Sequence, residues 1–375
     1  MDGGSGCEPG GPKTMRKKKL CLLISTLGPG GMQKAMSLLA QYFTSKEDVE
    51  VHLILYGISK KIFFKLPETI SIHKPNFDFD NESRFISTIR TLLFIRKEIK
   101  LINPDVILSF GEYWNSFVLI SLLGFRTPIY ISDRCQPDKS LGFFHDKLRK
   151  VLYPLAKGII TQTNAARDIY AKMISHSNIA IIGNPIDNRD GNSSSVLREN
   201  VVLSVGRLIP SKHHDLLIDI FLKVNMSGWK LVIVGGDVAY SDVKSVLQEK
   251  IRNLNAEDRV ILAGNSNKVD EFYRKSKIFA FTSSSEGFPN VIGEAMAAGL
   301  PVIAYDCLAG PSDMIEDGKN GFLIPMFDDN LFVEKLSELM GNEGMQAEMG
   351  VNSRLMISRY SIERVGMQYY EFLFG

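Results

Sequence analysis

No stretch of the chain stays apolar for the roughly 18 residues that a membrane-crossing helix needs. The nearest run, FVLISLLGF at 117–125, is half that length, which excludes a helical span. Cysteine is scarce: the four residues, at 7, 21, 135 and 307, form no CxxC pair and no cluster with histidine. That argues against a disulfide framework and a structural zinc, and fits a reducing cytoplasm. The stretch Arg16–Lys19 followed by LCLLI resembles a signal peptide, but the apolar run is short and lacks a small-residue cleavage site, so it reads as a first buried strand. A dinucleotide fingerprint is also missing, because Gln33 stands where G-x-G-x-x-G, begun at Gly28 and Gly30, needs its last glycine.

What is present is an ordinary globular composition, 45 % apolar and 23 % charged over 375 residues, enough for a large core divided between two domains. Residues 1–14, MDGGSGCEPGGPKT, have no periodicity and read as a disordered lead or expression remnant. The net charge of +2 conceals an asymmetry: residues 15–190 hold 25 Lys and Arg against 16 Asp and Glu, whereas residues 191–375 hold 18 against 24. A basic first half implies an anionic partner, for which nucleic acid, an anionic membrane face and a diphosphate substrate are the candidates.

Short apolar runs alternate with helical stretches through both halves: KLCLLIST, VEVHLILYG, DVILSFG, TPIYISD and GIITQT, then NVVLSVG, KLVIVGG, RVILAG, KIFAFTS and PVIAYD. Such runs argue for parallel strands covered on both faces, so each half reads as an α/β doubly wound, Rossmann-like domain. The Asn/Asp/Ser/Gly-rich stretch at 181–200 marks the join. The expected division is 15–188, an acceptor-binding domain; 189–355, a nucleotide-sugar-binding domain; and 356–375, an amphipathic C-terminal helix returning to the first domain. Ligands of open parallel sheets sit beyond the carboxyl ends of the strands, so the two domains should face each other across a cleft.

The stretch SSSEGFPNVIGEAMAAGLPVIAYD (283–306) places two glutamates eight positions apart. Pro289 suits a first helical turn and Gly299 a helix end, so PNVIGEAMAA is expected to be a helix with Glu286 before it and Glu294 inside it. Side chains lean toward the helix N-terminus, so both carboxylates flank an amide end that favours an anion. This layout suits a phosphate with hydroxyl-bearing groups on either side, as in a nucleoside diphosphate sugar. In VLSVGRLIPSKHHD (202–215), Arg207 and Lys212 lie past a buried strand, where two cations can stabilise a diphosphate leaving group without a metal.

Together, GRL…SK at 206–212, VGG at 234–236, RVILAG at 259–264, the Glu-x7-Glu stretch and GKNGFLIP at 318–325 resemble the large retaining glycosyltransferase family 4, which has the GT-B architecture. The resemblance implies that Glu286 meets donor hexose hydroxyls, that Glu294 holds the ribose, and that Arg207 and Lys212 clamp the diphosphate. It further implies that the amides of Gly287, Phe288, Asn290 and Val291 approach sugar and phosphates, with Gly206, Gly236 and Asn265 lining the nucleotide site. Pro289 has no amide hydrogen and only shapes the turn. In STLGPGGMQKAMSLLA, Gly30 and Gly31 match the family's N-terminal glycine loop, where backbone amides approach a phosphate.

Two further strand ends, ILSFGEYWNSF and IYISDRCQP, are expected to set Glu112, Asn115 and Arg134 on the acceptor side of the cleft. Many relatives carry a histidine near Glu112; its absence here speaks against a His-assisted mechanism. The SF…N and S-[DE]-R patterns look closer to the branch acting on lipid-linked oligosaccharides. Asp78-Phe79-Asp80 spells DxD, a metal signature of another architecture, but lies outside that architecture's strand setting and reads as surface.

Basic residues interleave with apolar ones on 84–100 and 145–157. They mark either solvated helices or a face that docks on anionic lipid. The expectation is a cytoplasmic enzyme, peripheral on the inner membrane, transferring sugar from a UDP-sugar to a lipid-diphosphate-linked glycan, with no metal, no cofactor and no nucleic-acid partner. The alternatives are a nucleotide-sugar epimerase and a catalytically silent sugar-nucleotide-binding scaffold.

Overall fold

The computed structural model describes residues 16–57, 61–187, 197–238 and 242–375. The lead at 1–14 and the boundary expected at 188/189 lie outside the described residues. The first domain contains strands β1 (Lys18–Ile24), β2 (Val49–Leu55), β3 (Ser71–His73), β4 (Val106–Phe110), β5 (Ile129–Ser132), β6 (Gly158–Thr161) and β7 (Ile179–Ile181). The second contains β8 (Val201–Val205), β9 (Lys230–Val234), β10 (Val260–Gly264), β11 (Ile278–Phe281), β12 (Val302–Tyr305) and β13 (Gly321–Ile324). The sheets are ordered 3-2-1-4-5-6-7 and 10-9-8-11-12-13, and the pairings are parallel. Each apolar run became a strand because helices cover both faces; every residue of β4, β5, β6, β11 and β12 is buried. The edge strands β3 and β7, three residues each, are too short to carry a sequence pattern.

Strand order reverses direction between β1 and β4 in the first sheet and between β8 and β11 in the second. A crevice opens beyond the carboxyl ends at such a switch point. Register puts those ends level: Ile24 pairs with Phe110, and Phe110 with Ser132. The loops after β1, β4 and β5 therefore emerge together, opposite those after β8, β9 and β11.

The helix expected at 356–375 runs from Ile362 to Phe374 and is preceded by a separate one. Glu343–Ile357 belongs to the second domain; a turn at Ser358–Tyr360 follows, and Ser361 caps a new helix, Ile362–Phe374, by accepting the Arg364 amide. This last helix packs against Gly31–Thr44, with Val365, Tyr369 and Leu373 buried in the first domain's core. Full burial of side chains of this size contributes about 1.5–3 kcal/mol each. Gly366 is required where it lies, because a Cβ there would sit 2.4 Å from the Tyr42 ring.

Candidate active site

On the second domain, β8 leads through Gly206 and exposed Arg207 into a 3-10 turn, Pro210–Lys212, ahead of the helix His214–Val224. The loop after β11 is laced to this turn: Ser284 N donates to Ser211 O at 2.9 Å and Thr282 Oγ1 to Lys212 O at 2.8 Å. The lacing brings Lys212 Nζ into a salt bridge with Glu286 Oε1, each side chain mostly buried. Gly206 lies under the Lys212 stem, and Gly236 abuts the Asn265 side chain.

The helix expected at 289–298 runs from Asn290 to Ala297, with Pro289 at its N-cap. Glu294 Oε1 accepts from Lys34 Nζ at 2.6 Å and Oε2 from the Tyr273 hydroxyl at 3.0 Å. Burial acts to lower the Lys34 pKa, but the Glu294 carboxylate outweighs it and the net shift is upward. Burial, reinforced by Glu294, holds the Tyr273 phenol well above its ordinary range.

Lys34 comes from the first domain, so this pair crosses the cleft, as do other contacts. Asn290 Nδ2 donates to Gly31 O at 3.1 Å, and Asn290 Oδ1 accepts from Asn184 Nδ2 at 2.7 Å. Ser285 Oγ donates to Gln136 Oε1. Gly287 fits so tightly against the first domain that a Cβ would lie 2.8 Å from the carbonyl oxygens of Arg134 and Cys135. Gly31, at the start of its helix, accepts the Asn290 bond through its carbonyl, and Gly30 stands at that helix's N-cap.

Three expected roles change, those of Asn290, Asn115 and Arg134. The Asn290 amide is spent on Phe288 O at 3.0 Å, so this residue acts through its side chain. Phe288 is buried, its ring edge-on to Tyr360 in the interdomain crossing, while Val291 stays on the half-buried face of its helix and its carbonyl lies 3.4 Å from the Tyr273 hydroxyl. Asn115 is not at the rim: it is fully buried, accepting from Ser109 Oγ and donating to Ser132 O and Asp133 Oδ1, because the first turn of its helix points back at the sheet. Arg134 is a strut rather than an open acceptor contact, bonding Asn184 Oδ1 and the Tyr369 hydroxyl while its guanidinium lies 3.6 Å from the Phe110 ring centre.

Glu112 is half-buried at the end of β4, and burial, with Asp133 nearby, raises its carboxyl above the ordinary range. Sequence reasoning missed Lys34, Tyr273 and Asp133. Asp133 gathers Arg149 at 3.0 Å, Tyr153 at 2.6 Å and Tyr170 in a buried network that fixes the loop after β5. Of these, Lys34 carried a signal as a cation one turn beyond the glycine loop, and Asp133 as the acid of the S-[DE]-R pattern.

Among the described residues, no group of three or more His, Cys, Asp or Glu is arranged to hold a metal; Asp80 instead accepts the Glu82 amide at 2.9 Å. An interdomain cavity of about 470 Å³ opens beside the C-terminal crossing, lined by Gln162, Asn164, Asp313, Arg359 and Tyr360; its lining includes none of the residues around Glu286 and Glu294.

The sequence model of glycosyl transferases group 1 matches residues 185–356, and that of glycosyltransferase family 4 matches residues 29–189. Together they account for most of the chain. It belongs to the GT-B glycosyltransferases. The amylovoran biosynthesis glycosyltransferase AmsD of Erwinia amylovora is 29% identical over 341 residues, covering 88% of this chain and 92% of that protein. An N-acetylgalactosamine-N,N'-diacetylbacillosaminyl-diphospho-undecaprenol 4-alpha-N-acetylgalactosaminyltransferase of Campylobacter jejuni is 26% identical over 374 residues, covering 96% and 100%. Among solved structures, Anabaena HepE in complex with UDP superimposes with a TM-score of 0.76 at 19% identity, covering 94% of this chain and 98% of that one. The last comparison bears on the fold of this glycosyltransferase alone.

Proposed function

We propose that this glycosyltransferase is a retaining, metal-independent hexosyltransferase that moves a hexose or N-acetylhexosamine from a UDP-sugar to a lipid-diphosphate-linked glycan, in assembly of a surface polysaccharide or a glycoprotein glycan. The observation that carries the reading is the Lys212–Glu286 pair at the switch point of the second sheet, beside exposed Arg207. The names of the Erwinia and Campylobacter relatives support the acceptor class, and the UDP complex of the structural neighbour supports the nucleotide.

In the reaction, the bond between the sugar C1 and the β-phosphate oxygen breaks and the acceptor hydroxyl oxygen bonds C1 on the same face. The hydroxyl proton passes to the departing phosphate. Arg207 and Lys212 stabilise the charge that develops on the diphosphate, and Glu286 orients the hexose by accepting from its hydroxyls.

The acceptor's lipid implies a docking face, and the first domain offers one. The helices Arg84–Ile102 and Phe143–Leu152 flank and pack on the short helix Asn115–Ser121. On their outer faces Phe85 is 78% and Phe143 85% exposed, among exposed Arg90, Lys97, Lys147 and Lys150. Apolar groups beside cations on an outer surface suit an anionic leaflet on the cytoplasmic side of the inner membrane. Among the described residues no helix is long and apolar enough to cross a membrane.

The test is a panel of UDP-sugars incubated with purified protein, with and without a lipid-diphosphate-linked glycan and with excess EDTA. Transfer from one donor, with its anomeric configuration kept and EDTA without effect, is expected. Donor conversion without acceptor would make the protein an epimerase, and donor binding without turnover a silent scaffold.

A further inference from the structure

We propose that Lys34 and Tyr273 are positioning residues for the nucleoside: they hold Glu294 so that one lone pair on each carboxylate oxygen stays free for a vicinal diol. Because Lys34 belongs to the first domain, the diol site in the second domain is completed only when the domains stand together as they do here. The inference rests on the reading of Glu294 as the ribose-binding acid.

An ionised carboxylate has two oxygens with about four acceptor sites. Lys34 takes one on Oε1 at 2.6 Å and Tyr273 one on Oε2 at 3.0 Å, which leaves one on each oxygen. Two acceptor sites on adjacent oxygens match two adjacent hydroxyls, the arrangement a ribose presents. A carboxylate held at one oxygen alone turns about its last torsion; held at both, its plane is fixed.

The two holders are themselves fixed. Tyr273 is 2% exposed, its ring packed on Phe279, and its hydroxyl also lies 3.4 Å from Val291 O in the helix that carries Glu294. Its raised pKa keeps the phenolic proton in place as a donor. Lys34 stands in the first turn of Gly31–Thr44, whose first residue is tied to Asn290 of the same second-domain helix. The charges acting on Lys34 besides Glu294 are Asp270 and Asp187, both favouring the ammonium form. The pair is therefore an ion pair across the cleft with side chains only 30% and 17% exposed, where geometry is held better than at an open surface.

The inference is separable from the assignment of Glu294 by comparing UDP with 2'-deoxy-UDP in calorimetric titrations. Wild type is expected to prefer UDP about tenfold or more, as loss of a hydrogen bond to a charged group implies, and Glu294→Gln to erase the preference. Tyr273→Phe and Lys34→Met should each cut the preference at least about fivefold while circular dichroism stays native, and Lys34→Arg should restore part of it. If Glu294→Gln erases the preference but Tyr273→Phe and Lys34→Met leave it intact, the positioning role is wrong and the ribose assignment stands. If Glu294→Gln keeps the preference, both fall. Should Lys34→Met fail to fold, Tyr273→Phe decides alone, an unchanged preference in it overturning the role.

Discussion

Lys212 and Glu286 are each other's ion-pair partners, with side chains only 14% and 13% exposed. In the resting cleft, the cation assigned to the phosphate and the acid assigned to the sugar neutralise each other. Removing one strands the other's charge, whereas removing both does not. Lys212→Met and Glu286→Gln should each lose about 1–3 kcal/mol of stability, and the double variant should recover most of it in urea denaturation. All three should lose roughly 100-fold or more in turnover. A double variant with wild-type turnover would remove the pair from the chemistry.

Gly287→Ala tests whether the domain contact matters to turnover. The added methyl would stand 2.8 Å from two first-domain carbonyl oxygens, backbone that cannot swing aside, so the domains must part by a few tenths of an ångström or more. Turnover is expected to fall at least about tenfold, as small misplacements of a reacting geometry do, with an unchanged melting temperature. A variant as active as wild type would show that catalysis tolerates a wider cleft.

His214 predicts a pH dependence of stability. Burial, aided by the Lys212 charge, lowers its pKa to about 4. The unfolded side chain titrates near ~6.5. Between those values the unfolded chain binds a proton that the native protein does not, so stability falls as pH falls through that window. The wild type should lose on the order of 2 kcal/mol from this group between pH 7 and pH 5. In paired urea titrations, His214→Leu should show a correspondingly shallower pH slope; an identical slope would clear His214 of the effect.

The docking face is tested with vesicles. Replacing Phe85 and Phe143 by serine forfeits about 1.5–3 kcal/mol for each ring that leaves water. Co-sedimentation with phosphatidylglycerol vesicles should then fall more than about tenfold, and wild type should bind neutral phosphatidylcholine vesicles poorly. Equal sedimentation of wild type and variant would rule the face out.

Much of the frame could be read in advance because buried parallel strands leave long apolar runs, as at Leu20–Ile24 and Val106–Phe110, and because Pro289 and Gly299 punctuate a helix. Direction was harder. Asn115 stands one helical turn from Glu112 in a stretch that reads as a strand end, yet its side chain turns inward to Ser109 and Asp133 while Glu112 stays half-exposed. Nothing in the local pattern distinguishes the two, since the choice is made by Ser132 and Asp133 on a neighbouring strand end. Contacts between domains leave even less trace: Lys34 and Glu294 are 260 positions apart and meet only because two separately folded sheets abut. Arg134 was legible as a cation near the cleft, but its partners Asn184 and Tyr369 lie on segments whose paths are set by the C-terminal crossing.

That crossing has a consequence for how the protein is made. The helix Ile362–Phe374 supplies Val365, Tyr369 and Leu373 to a core otherwise built from residues between 20 and 182. During vectorial synthesis the first domain therefore leaves the ribosome with an unfilled groove along Gly31–Thr44, and it stays unfinished until Ile362–Phe374 emerges, after every element of the second domain has been made.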